Sequence, residues 1–481
     1  MNLPGRLPAI LALAACLALV GGCVPMATVP AAALPSSPAA SYLAPASLPG
    51  SVPTPVQGPA FQEGVPLTLA RCVAIAFAQN PETRESWQRA KAAAAGVGQA
   101  RAAYLPTLDF AAGTSRANPA SPDSPQDTGV QDRVNATFET SYLLFDGGTR
   151  AAGLHGAEAG LLAASLQHDT TLQDLALRVA EAYYHLLAAR EFERVAEETV
   201  RQTQYHLDVA RARHENGLAA RSDVLKATTE KASADLGLVR ARSATRIARG
   251  SLANVMGLQP SVSFEIAEMP PTPVSRKWAD VDHLMAQAAA SRPDLAAALA
   301  RVRGARARVA AADAAYWPKL TVNSDYGWSD RSLFPGRDEW FLGLELHWPL
   351  FTGFSREYSL HKARAELAGA GAGYEKLLRG VELQVWTAYS QLTEAVEAVE
   401  AARALVASAE ESARVTEGEY KNGTASIIDV TDAQTARTVA NVRLVQARLD
   451  WRTAMARLER AVGEIVAAPQ KDTKVTGENR P

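Results

Sequence analysis

The chain has 481 residues and is poor in cysteine, in aromatic side chains and in net charge. Its three cysteines are Cys16, Cys23 and Cys72. Only Cys72 lies beyond the N-terminal stretch, and one thiol builds no disulfide framework. Cys72 falls in an apolar helical pattern, where a thiol packs as a small hydrophobe rather than reacting. The net charge of −2 balances 49 basic against 51 acidic residues, so nothing draws the whole chain to nucleic acid. Aromatics are only 6% while alanine abounds, a composition suited to long, closely packed helices rather than a thick globular core. The eight histidines show no metal-binding spacing, and neither a nucleophile elbow nor a phosphate loop is present. The Gly-rich run Gly369–Gly373 lies inside a helical stretch, where it permits close packing. Neither an enzyme nor a metal or cofactor is expected.

Charge is also absent between Arg6 and Glu63. The apolar run Leu7–Val20 is shorter than the ~20 residues a membrane helix needs, so it reads as a secretory signal over residues 1–22. Its end, Val20-Gly21-Gly22-Cys23, resembles a bacterial lipobox, which makes Cys23 the expected lipidation site. The plain alternative is an ordinary signal peptide that contains a cysteine. Val24 follows, not the aspartate of the usual inner-membrane retention signal. Nine prolines and no charge between residues 24 and 60 make residues 23–66 a tether.

The rest is organised around a stretch that occurs twice. Asn216-Gly217 recurs as Asn422-Gly423 and Asp223-Val224 as Asp429-Val430, both at an offset of 206 (422 − 216 and 429 − 223). Each copy ends one Ala-rich helical run and precedes another, as the tip of a helical hairpin would, because Asn and Gly accept the left-handed conformation that stops a helix. Ser222 and Ser426 are expected to cap the helices that follow. Other landmarks also repeat: Pro81 and Pro293, AAYLPTL (102–108) and AAYWPKL (314–320), LFDGGTR (144–150) and LFTGFSR (350–356). The halves are residues 67–257 and 281–463, joined by a connector over 258–280 with one short strand expected at Val262–Ile266. A polar tail occupies 464–481. In each half the pattern predicts a helix, two strands, a long proline-free helix (Thr149–Glu215 and Phe354–Lys421) and a closing helix. The first helix is expected to run unbroken from Leu69 to Tyr104. A heptad seam from Val381 through Val385, Ala388, Leu392, Ala395 and Val399 to Tyr420 predicts coiled-coil packing, with Leu175, Val179, Ala182, Leu186 and Ala189 in the same phase in the first half.

The strands alternate with period two. Leu108 and Phe110, then Val134, Ala136, Phe138 and Tyr142, form apolar faces, as do Trp340, Leu342, Leu344, Leu346 and Trp348 in a last strand expected over Trp340–Phe351. Aromatics at both ends of that face resemble the girdle of an outer-membrane barrel, although an ordinary half-buried sheet shows the same alternation. Each polar face carries one acid: Asp109, Glu139, Asp325 and Glu345. In a barrel these would line an acidic lumen. Four strands cannot close a barrel alone, and lipid tolerates no open edge, so a membrane reading demands oligomerisation.

Tandem halves, the paired strand-flanking motifs and the two Asn-Gly…Asp-Val tips together resemble the TolC-like outer membrane factor family over residues 67–463, and the lipobox points to its lipoprotein branch. The resemblance implies a mainly α fold with a transmembrane β-barrel contribution. It implies a homotrimer whose three sets of four strands make a 12-stranded barrel above a periplasmic α-helical tunnel. It implies a passive exit duct of a tripartite efflux system, anchored in outer-membrane lipid and partnered by a periplasmic adaptor (membrane fusion) protein and an inner-membrane pump of the RND or ABC type. A type I protein secretion duct is the alternative. Carried over to this sequence, the family's periplasmic gate falls on Tyr420, Asp429 and Asp432. Its adaptor-contact tips fall on Asn216, Gly217, Asp223, Asn422 and Gly423. Ala425 departs from relatives that have a basic residue there. For Asp429 the residue-level alternative is simple stabilisation of a helix N-terminus.

Overall fold

The computed structural model describes residues 37–40, 66–117, 130–268, 280–330 and 337–464. The expected signal peptide, Cys23, most of the tether, the loop between the first two strands and nearly all of the C-terminal tail lie outside the described residues. The elements are α1 (Leu69–Gln79), α2 (Pro81–Ala102), β1 (Thr107–Ala117), β2 (Gln131–Phe145), α3 (Thr149–Glu215) and α4 (Arg221–Val255), then α5 (Val281–Ser291), α6 (Pro293–Ala314), β3 (Lys319–Asp330), β4 (Arg337–His347), α7 (Ser355–Asn422) and α8 (Ile427–Val462). The second six repeat the first six in kind and order.

The two long helices are continuous over 67 and 68 residues, as their lack of proline predicts. The expected single helix from Leu69 to Tyr104 is corrected to two, broken at Asn80. Proline lacks the N–H a helix interior needs and pushes the residue before it out of the helical region. Asn80 is accordingly extended, and its side chain accepts from the Glu82 N–H at 2.8 Å and donates to the Val255 carbonyl at 2.8 Å. Arg292 before Pro293 breaks the equivalent helix in the second half.

The chain forms two compact units. One comprises Arg89–Ser165 and Ala300–Ala368 and holds all four strands, in the antiparallel order β1-β2-β3-β4. Direct partners share a face of a sheet. Phe110 opposite Phe138 and Tyr326 opposite Trp340 therefore lie on one face, and Asp109 opposite Glu139 opposite Asp325 on the other. The apolar face is exposed; Leu342, Leu344 and Leu346 are each about two-thirds accessible, at 65%, 66% and 64%. β4 ends at His347 rather than the expected Phe351, because Pro349 has no N–H to extend the ladder. At the strand–helix junctions Arg150 stacks over Tyr104 at 4.9 Å and donates to the Leu143 carbonyl. Its counterpart Arg356 stacks over Tyr316 at 5.1 Å and donates to the Leu350 carbonyl.

The second unit comprises Ser37–Gln88, Leu166–Leu299 and the chain from Gly369 on. The heptad seam is its spine: Val381, Val385, Leu392 and Val399 are buried with Trp451, Ala454 and Leu458 of α8, and Leu175, Val179 and Leu186 with α1 and the end of α4. The connector strand expected at Val262–Ile266 is corrected to a single parallel bridge between Ile266 and Leu67, flanked by two backbone hydrogen bonds. Gly257 has φ +79, and a Cβ there would come within 2.8–2.9 Å of the Gln79–Asn80 backbone, so only glycine closes the first half this tightly. Several polar side chains are buried in this unit, His168 and Arg292 among them. His168 Nδ1 meets Ser86 Oγ at 2.7 Å, and burial pushes the imidazole below its ordinary pKa. Arg292 pairs with Asp294 and donates to Gln384 and to the Ala461 carbonyl. Among the described residues, no helix is long and apolar enough to cross a membrane.

Candidate functional site: two helical tips and a two-faced sheet

Each tip ends in the hydrogen-bond pattern its Asn-Gly predicts. At the first, Leu218 N–H donates to the Arg213 carbonyl and Gly217 N–H to that of His214; at the second, Thr424 donates to Glu419 and Gly423 to Tyr420. Gly217 has φ +74 and Gly423 φ +82, so both are left-handed caps of the Schellman type. Asn216, Gly217, Asn422 and Gly423 are all exposed, and Asp223 is half-buried in the first turn of α4.

The helices leaving the tips start differently. Ser426 caps α8 in a full capping box. Its Oγ accepts from the Asp429 N–H at 3.3 Å, and its own N–H donates to the Asp429 carboxylate at 2.8 Å. The expected cap at Ser222 is corrected: α4 begins at Arg221 after Ala220, with no side-chain cap. Ser222 lies inside the helix, past the cap position, with its Oγ 3.4 Å from Asp223. The hydrogen bonds from the Ser426 hydroxyl and N–H hold the Asp429 carboxyl below the usual carboxylate range, so this exposed acid is ionised at neutral pH. Asp432, one turn on, is exposed as well.

Tyr420 is only 5% exposed and packs with Ile427 and Val430 against Val209 and Ala425. Arg213, from the first tip, lies over its ring at 4.6 Å and donates to its carbonyl oxygen. Burial raises the Tyr420 hydroxyl above its ordinary pKa, with Arg213 opposing and Asp223 adding. The two tips are therefore tied by one arginine that sequence reasoning did not single out. The available signal was its place: at an offset of 206, Arg213 occupies the position of Glu419, whose carbonyl accepts from Thr424 in the second cap (419 − 206 = 213).

On the sheet, Asp109, Glu139 and Asp325 stand side by side in one row across β1, β2 and β3. Glu345 lies on the same face opposite Thr321 and accepts from Asn323 at 3.1 Å, which in turn accepts from Ser141 at 3.0 Å. All four acids thus share the polar face. Among the described residues, no group of three or more His, Cys, Asp or Glu is placed to hold a metal ion.

The chain thus carries two helical hairpins and a four-stranded sheet with one apolar and one acidic face. The chain belongs to the outer membrane efflux protein family, whose profile matches residues 73–258 and 284–464. It is 29% identical over 403 residues to Protein CyaE of Bordetella pertussis, covering 83% of this chain and 84% of that one. It is 26% identical over 391 residues to the pyoverdine export outer membrane protein OpmQ of Pseudomonas aeruginosa, covering 78% and 79%. Its fold matches the crystal structure of the outer membrane protein VceC of Vibrio cholerae with a TM-score of 0.72 at 21% identity, over 83% of this chain and 96% of that one.

Proposed function

We propose that this chain is the outer-membrane exit duct of a tripartite efflux system, conducting its cargo passively. The sheet carries the reading. It exposes the large side chains of its apolar face, Phe138, Trp340, Leu342, Leu344 and Leu346 among them, and leaves β1 and β4 as free edges, an arrangement that neither water nor lipid tolerates. Three copies joined β4 to β1 would make a closed barrel of 12 strands (3 × 4), turning the leucine face to lipid and Asp109, Glu139, Asp325 and Glu345 to the lumen. The coiled-coil hairpins continue the duct in the periplasm, where the tips at Asn216, Gly217, Asp223, Asn422 and Gly423 receive an adaptor that links it to an RND or ABC pump. Asp429 and Asp432 from three copies form the resting gate, and the Arg213–Tyr420 contact braces it within each copy. Cys23 carries the lipid anchor; the intact mass of membrane-extracted protein tests this, and an unmodified Cys23 or cleavage elsewhere would refute it.

Deletion of the gene in its own host separates the two kinds of duct. Raised susceptibility to small toxic molecules, restored by the wild-type chain, supports efflux. Loss of one secreted protein with unchanged susceptibility overturns it in favour of a type I secretion duct.

A further inference from the structure

A buried histidine on α3 meets a part of the chain that the duct reading leaves idle. His168 is fully buried, and Ser86 of α2 stands against one side of its ring. A hydroxyl has one proton to give. Ser86 Oγ lies 2.7 Å from Nδ1 and 3.1 Å from the Thr83 carbonyl, and the shorter contact takes the proton. Nδ1 then accepts, and the imidazole hydrogen sits on Nε2. Nε2 is buried and completes no hydrogen bond among the described residues. A buried donor without an acceptor is costly.

The group that faces this donor comes from the tether. The Ala40 backbone raises the imidazole pKa against the larger lowering by burial. A backbone N–H would lower it further, so the facing group is the Ala40 carbonyl oxygen, an acceptor. Local sequence presents that carbonyl. Ser37-Pro38-Ala39-Ala40 is a β-turn by composition, because serine suits the first position and proline, with its φ preset, the second. The Ala40 N–H closes the turn on the Ser37 carbonyl at 3.1 Å. A turn in a free tether would stand in water, yet all four residues are half-buried. None is charged, so covering them desolvates no ion.

We propose that His168 clamps the tether, its Nε2–H donating to the Ala40 carbonyl and seating the Ser37–Ala40 turn against α2 and α3. The clamp divides the tether. Ser37 is 14 residues from Cys23 (37 − 23), so a lipid on Cys23 lies within about 46–50 Å of the turn even at full extension. Without the clamp the leash runs on to Leu67, 44 residues from Cys23 (67 − 23), with a reach of about 145–160 Å. The leash length rests on the lipid-anchor reading; the clamp does not.

Hydrogen–deuterium exchange of the full-length protein in detergent, read by mass spectrometry on fragments spanning 37–40, tests the clamp. In the wild type the Ala40 amide should exchange at least about tenfold more slowly than in a free peptide of the same sequence. His168→Phe keeps a buried ring and removes both nitrogens. It should return Ala40 to the free-peptide rate while fragments from α2 and α3 stay protected. His168→Gln, whose amide can donate from the place of Nε2, should keep most of the protection, as a merely space-filling side chain would not. If His168→Phe also speeds exchange in α3, Ser86→Ala decides, since it removes only the hydroxyl that orients the ring. Faster exchange at Ala40 then supports the clamp, and an unchanged rate overturns it. A free-peptide rate in the wild type overturns the docked turn. Protection unchanged in His168→Phe overturns the part given to the histidine. An intact mass with unmodified Cys23 and a protected Ala40 overturns the lipid anchor and supports the clamp.

Discussion

Leu344→Arg and Glu345→Arg place the same charge on adjacent residues of β4, on opposite faces of the sheet. Leu344 is 66% exposed, pairs with Val322 and is flanked on its face by Leu342 and Leu346. If that face meets hydrocarbon, an arginine near the middle of the bilayer costs about 2–4 kcal/mol per copy. Glu345 faces the other way, and its loss removes the acceptor of one hydrogen bond from Asn323, worth about 1 kcal/mol. The expected difference is therefore about 1–3 kcal/mol per copy, with Leu344→Arg the worse. Urea titration of folding into phospholipid vesicles, followed by the gel mobility of the folded form, measures it. A water-facing sheet reverses the order, since replacing an exposed leucine by arginine is then close to neutral. Equal midpoints, or a greater loss from Glu345→Arg, would refute the assignment of the leucine face to lipid.

Two other variants probe the tips and the buried polar groups. Asp429→Ala with Asp432→Ala should weaken cation selectivity and block by divalent cations in planar bilayers; the lost capping box costs about 1 kcal/mol and leaves the fold intact. Unchanged selectivity and block would leave Asp429 as a helix cap alone. Arg292→Ala strands Asp294 and removes bonds to Gln384 and Ala461, so it should destabilise by about 3 kcal/mol. The same pair sets an acid dependence. Burial alone would raise the Asp294 pKa, but hydrogen bonds and charge from Arg292, helped by Arg460 and the Leu295 N–H, hold it below the ordinary value. Its contribution is then complete above the unfolded pKa of about 3.9 and is lost as the pH falls through the lower folded value. Thermal melts of wild type should show that loss below about pH 4, and melts of Arg292→Ala should not.

What could be read in the sequence is what local chemistry decides. Asn-Gly at a fixed offset foretold both left-handed caps, and period-two alternation foretold the faces of all four strands, including the alignment of four acids on one side. Where two local signals competed, the reading failed. The apolar pattern ran through Asn80, yet Pro81 starts a new helix, and Asn80 in front of it is a cap in composition as well as in fact. Ser222 has a capping side chain but stands inside α4, two positions past the cap, whereas Ser426 stands at the cap with an acid three residues on. Contacts between distant segments left no trace in local pattern. Arg213 reaches Tyr420 across 207 positions, and Ser86 meets His168 across 82. Tyr420 could be placed on the heptad seam, but its burial beneath Arg213 depends on how the two hairpins pack.

The account depends most on three copies closing one barrel. Native mass spectrometry of the full-length protein in detergent measures this directly. The expected species is three chains with no population of free monomer, and its circular dichroism should retain the β content of all four strands per chain. A stable monomer or dimer with the same β content would contradict the account, since β1 and β4 would then be edges the protein tolerates.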